Sequence, residues 1–159
     1  MKVDLMRFPL FVFAFLLASS PGFAQERQWN LDASDKQAFL VFGVPDTADV
    51  GLSFWCDIGS KKMSLFVPVS PSLLKPSETP DVVALVDGRS FKFKGEVEKD
   101  QASGLVNIES HFLRDDAFFK AVQQGQIIAV QVKSERKSYP LAEADFDGLI
   151  RACNGDEVN

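Results

Sequence analysis

The chain has 159 residues, with 17 lysines and arginines against 22 aspartates and glutamates, and a formal charge of −5 at neutral pH. That length suits one domain around one core. The acidity argues against nucleic acid and against anionic membrane surfaces as partners, since both are recognised by basic patches.

The N-terminus falls into three zones. Lys2 and Arg7 outweigh Asp4, Phe8 to Ala18 is almost wholly apolar, and Ser19 to Ala24 is small or polar. Gly22 and Ala24 fit the small-residue rule for cleavage between Ala24 and Gln25, so residues 1–24 are predicted to be a secretory signal peptide. The apolar run is about half of the ~20 residues a spanning helix needs, and Pro21-Gly22 follows it, so no membrane span is expected after cleavage. There is no cysteine near the cut for lipid attachment and no twin arginine, so export in the unfolded state is expected. The remaining residues 25–159 carry a formal charge of −6. They are predicted to form a single β-rich domain that works in the periplasm or the medium. Lys61-Lys62 and the Lys92/Lys94 alternation read as solvated surface.

Cys56 and Cys153 are the two cysteines. In an exported protein they are expected to form a disulfide, the alternative being two buried free thiols. No Cys-x-x-Cys motif occurs, so a thiol oxidoreductase has no support.

Gln25 to Asp35 is polar around Trp29 and Leu31 and gives no clear element. Lys36–Phe42 reads as a strand, closed by Gly43 and Pro45. Leu52, Phe54 and Cys56 then alternate with Ser53, Trp55 and Asp57, the period of a strand, with Cys56 on the face of Leu52 and Phe54. Gly59-Ser60 turns the chain into a strand bearing Met63, Leu65 and Val67, with Phe66 on its other face. Ser70 to Pro80 holds three prolines and is predicted to be a loop. It is longer than most connections, and reads either as a crossing between two halves of a sheet or as a functional loop.

Val82–Val86 and Arg89–Lys94 flank Asp87-Gly88, the signal for a type I′ hairpin, in which both central residues need positive φ. Pairing across that turn sets Ala84 opposite Phe91, Val82 opposite Phe93 and Asp81 opposite Lys94. Short strands are expected at Glu96–Lys99 and Leu105–Ser110. Asp115 is placed to cap a helix through Phe118, Phe119 and Val122 that Gly125 stops. Gln126–Val132 is a strand and Ser134–Ser138 a charged turn. Phe146, Leu149, Ile150 and Cys153 share one helical face. The predicted fold is mainly β (α+β): an antiparallel β sandwich or barrel-like domain, with one short helix and a C-terminal helix packed on the sheet.

Residues from about 81 to 150 also run in a familiar order. Val86-Asp87-Gly88 precedes a Phe-rich strand, then come Phe119-Lys120-Ala121-Val122-Gln123-Gln124-Gly125-Gln126, an Ile/Val strand, and Tyr139-Pro140-Leu141-Ala142 before the last helix. This order resembles small exported bacterial proteins of the invasion-associated locus B type. The resemblance implies a periplasmic or secreted β-rich protein without known enzymatic chemistry, and it transfers no functional residue.

His111 is the only histidine. A hydrolase would use it as general base with Ser110 or Ser103 as nucleophile. No Gly-x-Ser-x-Gly motif is present, and Ser110 is its strand neighbour, pointing to the opposite face. His111 with Asp115 and Asp116 makes a poor zinc set. Asp145-x-Asp147-Gly148 lacks the further ligands of a calcium loop and reads as the first turn of a helix. No phosphate-cradling or cofactor fingerprint occurs, so neither metal nor cofactor is expected. Large aromatics are usually buried, which makes core the commoner fate for Trp55. On a solvent-facing sheet Trp55 and Phe66 would instead form a binding patch. Leu73 and Leu74 on the Pro-rich loop are the other binding candidates. The leading expectation is a non-catalytic exported protein that binds a macromolecule, a protein of the cell envelope or of a host. The alternatives are an inhibitor of a secreted hydrolase (lysozyme or protease) acting through the loop, and a small hydrolase using His111.

Overall fold

The computed structural model describes residues 26–75, 77–99, 104 and 106–156. The signal peptide expected over residues 1–24, and Ser103, lie outside the described residues. Among the described residues ten strands and two helices follow in the order β1 Gln28–Ala33, β2 Gln37–Gly43, β3 Val50–Asp57, β4 Lys62–Val69, β5 Asp81–Val86, β6 Arg89–Lys94, β7 Glu96–Lys99, β8 Val106–Leu113, α1 Ala117–Gln124, β9 Ile127–Val132, β10 Glu135–Pro140 and α2 Phe146–Asn154. They form a six-stranded sheet, β1-β2-β3-β4-β8-β7, and a four-stranded sheet, β10-β9-β5-β6. Neighbouring strands run antiparallel throughout. The fold is therefore the expected β-rich α+β type, built as two open sheets and not as a closed barrel.

Strand alternation decides which side chains enter the core. Leu52, Phe54 and Cys56 of β3, Met63, Leu65 and Val67 of β4, and Val106, Ile108 and Phe112 of β8 point inward. They join Val82, Ala84 and Val86 of β5 and Ile128, Val130 and Val132 of β9 in one cluster. Helix α1 adds Phe118 and Phe119, and Phe54 touches Phe112, Phe118, Phe119 and Phe146 through ring contacts of 5.2–6.5 Å. Apolar area removed from water at this junction is the main stabilising term.

The β5–β6 hairpin has the expected register: Ala84 opposite Phe91, Val82 opposite Phe93 and Asp81 opposite Lys94. Asp87 and Gly88 both have positive φ, 47° and 85°, as a type I′ turn requires. The Asp87 carboxylate also accepts from the backbone N–H groups of Gln126 and Ile127, at 3.0–3.2 Å, which ties the turn to the start of β9. Asp87→Ala removes those acceptors and places a residue that disfavours left-handed backbone. We expect a loss of about 1–2 kcal/mol in urea unfolding. Asp87→Asn, which keeps the turn preference and one acceptor, should recover most of it. An unchanged midpoint for the alanine variant would show that the turn contributes nothing.

Helix α2 is capped by Asp145, whose Oδ1 accepts from Gly148 N at 2.7 Å, and ends at Gly155 with φ 85°. A side chain at Gly148 would collide with the Asp145 carboxylate and Leu31, so glycine is what lets α2 lie close to β1. The Cys56–Cys153 disulfide, with a Cα–Cα distance of 6.0 Å, fastens α2 to β3 as expected.

Three local readings are corrected. The polar stretch around Trp29 and Leu31 is an edge strand, β1, because those two residues pack on the core while their neighbours face solvent. Trp29 Nε1 also donates to the Pro140 carbonyl at 2.8 Å, linking the two sheets. The charged segment after Ser134 is not a turn but the edge strand β10. Only Lys133-Ser134 turn the chain, and the charges sit where an unpaired strand edge is commonly protected. Asp116, not Asp115, caps α1, accepting from Phe118 N at 2.8 Å.

The Pro-rich loop crosses from β4 in one sheet to β5 in the other. Lys133 Nζ pairs with Glu78 at 2.6 Å and reaches the Leu73 carbonyl at 3.3 Å, and Ser70 N donates to Glu135 at 3.1 Å. The Lys133 ammonium, hydrogen-bonded to Glu78, holds that carboxyl below the usual range. Among the described residues no helix is long and apolar enough to cross a membrane.

Candidate functional site

The outer face of the six-stranded sheet carries apolar side chains among polar ones. Pairing across the strands lines them up. One row runs Phe39, Trp55, Ser64, His111, and the next runs Val41, Ser53, Phe66, Glu109, Glu96. Phe39 and Trp55 stack with ring centroids 5.9 Å apart and planes at 25°. Phe39, Trp55, Val41 and Val50 line a cavity of about 340 Å³ whose remaining walls are Phe66, Ser53, Glu98 and Glu109.

Trp55 is half-buried and lies outside the core cluster, as do Phe39, Val41 and Phe66. The core reading of Trp55 is thus corrected. Trp55 shares its face of β3 with Ser53 and Asp57, and only the face of Phe54 meets the other sheet.

Beside this floor lies a polar cluster. Ser64 Oγ and His111 Nδ1 share a hydrogen bond at 2.9 Å. Glu109 Oε1 is 3.9 Å from the same nitrogen, too far for a hydrogen bond, and it has no hydrogen-bond partner although Glu109 is only 8% exposed. A serine relay needs nucleophile and carboxylate on opposite nitrogens of the imidazole. Here both approach Nδ1, and Ser64 is buried, so this arrangement does not assemble a relay. Ser110 faces the core at 1% exposure, on the far side of β8 from His111. No group of three metal-ligating side chains comes together among the described residues. Asp116 and Asp145 are committed to helix caps.

Of the residues singled out in the sequence, Trp55 and Phe66 come together in this cavity and Leu73 and Leu74 do not join them. Leu74 belongs to the core and Leu73 packs against it. Leu74 also borders a smaller cavity of about 150 Å³ with Pro71, Ser77, Val97, Lys99 and Val106. Sequence reasoning missed Phe39, Val41, Val50, Ser53, Glu98 and Glu109. The unbroken apolar run Ala38–Phe42 was the available signal, since it leaves apolar residues on both faces of β2.

No protein-family model matches the chain, and no curated protein matches its sequence. In structure, the chain is similar to the crystal structure of invasion associated protein B from Bartonella henselae, with 14% identity and a TM-score of 0.49, the match covering 82% of this chain and 94% of that one. This is a weak likeness at the level of the fold, to the type of protein that residues 81–150 resemble, and it assigns no residue a role.

Proposed function

We propose that the protein is exported to the periplasm or the medium and acts there, without catalysis, by binding a protein of the cell envelope or of a host. The binding face is the outer surface of the six-stranded sheet. The observation that carries this reading is the aromatic floor of Phe39, Trp55 and Phe66, partly buried yet outside the core. Clustered apolar side chains on one exposed face mark interaction surfaces, and tryptophan is the residue most enriched among binding hot spots. Export is supported by the charged, apolar and small-residue zones of the first 24 residues and by the disulfide.

Trp55→Ala tests this. The full chain, produced by export and cross-linked in the envelope extract of its own cells, is recovered with whatever it holds and read by mass spectrometry. One partner in near-equal amount is expected for the native protein. Its affinity should fall on the order of thirtyfold with Trp55→Ala, the size of a ~2 kcal/mol hot spot. The variant should remain folded. A partner held equally well by Trp55→Ala would overturn the reading.

A further inference from the structure

We propose that the cavity on the six-stranded sheet receives an arginine side chain of the protein partner, with its guanidinium on the Glu109 carboxylate and against the aromatic floor. This rests on the docking reading above and specifies what enters the groove.

Glu109 supplies the first argument. The residue is 8% exposed and its side chain 11%, it lines the cavity together with Ser53 and Glu98, and its Oε1 has no hydrogen-bond partner. Buried polar groups are nearly always paired, and a buried carboxylate without a donor is costly. His111, the nearest basic group on this face, stands 3.9 Å away and is engaged with Ser64.

Charge supplies the second. The charged side chains lining the cavity, Glu98 and Glu109, are both acidic, and Glu96 faces Glu109 across the β7–β8 pairing. Lys62 lies instead at a separate depression with His111 and Leu113. The occupant that complements this field is a cation.

Shape supplies the third. A guanidinium is flat, stacks on aromatic faces and forks onto a carboxylate through two parallel N–H donors. An ammonium has no flat face to stack. Phe39 and Val41 offer apolar surface to the methylene stem.

The probe is a set of capped tripeptides, leucine-arginine-leucine and its citrulline and lysine counterparts, titrated into the full chain. The readout is the Trp55 indole N–H resonance, assigned with Trp55→Phe. The arginine peptide is expected to shift it saturably, and the neutral citrulline peptide to bind at least about tenfold more weakly, the effect of one charge-assisted contact. Glu109→Gln should abolish that preference while its thermal midpoint holds or rises. Should that variant misfold, Glu98→Gln serves instead, with a smaller loss of preference. Equal binding of the arginine and citrulline peptides would overturn the inference and leave the aromatic docking face standing. So would a silent Trp55 resonance alongside a partner still lost in Trp55→Ala. Retention of the partner by Trp55→Ala would instead remove the docking reading itself. Peptide-independent broadening of the Trp55 signal with protein concentration would show that a second copy of this chain fills the groove, and would overturn the proposal.

Discussion

Replacing Cys56 and Cys153 together with alanine is expected to lower the unfolding free energy by about 4–5 kcal/mol, read from urea denaturation in matched buffers. The two residues are 97 apart in sequence, so their link removes a long loop from the unfolded ensemble. Small domains have only about 5–15 kcal/mol in total, so this loss is a large fraction of the whole. The cross-link also holds α2 in place. Leu149, Ala152 and Cys153 are buried against the sheet, and Gly59 N donates to the Cys153 carbonyl at 2.8 Å. The alanine pair should therefore open α2 to protease before the rest of the chain. A loss below about 1 kcal/mol would mean that packing alone seats the helix and that the chain-entropy reading fails.

The second large effect comes from neighbouring residues on β3. Phe54→Ala is expected to cost about 4 kcal/mol, because it empties the site where rings from β8, α1 and α2 converge. Trp55→Ala removes a larger side chain one position on, yet should cost only about 2 kcal/mol, its stacking on Phe39 plus the covered part of its ring. The reason is orientation. Phe54 is fully buried between the sheets and Trp55 lies on the outer face, outside the core cluster. Thermal unfolding of the two variants side by side checks this. Comparable losses would show that both faces of β3 are core and that no docking floor exists.

That contrast marks how far the amino-acid order could be read. The hairpin around Asp87-Gly88 was legible to the residue because its turn chemistry and its cross-strand pairs are local and agree. The face of α2 and its link to the Leu52/Phe54 face of β3 were legible for a similar reason: one helical period and one strand period each carry a cysteine on their apolar side. The edge strands β1 and β10 were not. Each has only one neighbour and a largely polar outer face, so their alternation is weak and their charges resemble those of a turn. The site was half legible. Trp55 and Phe66 stood out by phase, but their meeting with Glu109 depends on β4 lying beside β8, which pairs Phe66 with a residue 43 positions away that no local signal encodes. Leu73 and Leu74 were marked by their exposed-looking loop, whereas the ties from Lys133 and Glu135 draw that loop onto the domain.

The docking face can be tested most directly by placing a photo-activated cross-linking residue at Val41, which lines the cavity, and in a separate protein at Ser90, exposed on β6 in the other sheet. Both are produced as the full chain in its own cells and illuminated before lysis. If the outer face of the six-stranded sheet is where the partner binds, position 41 yields one defined protein adduct that disappears in the Trp55→Ala background, and position 90 yields none. An adduct from position 90 alone, or one from position 41 that survives Trp55→Ala unchanged, would contradict it.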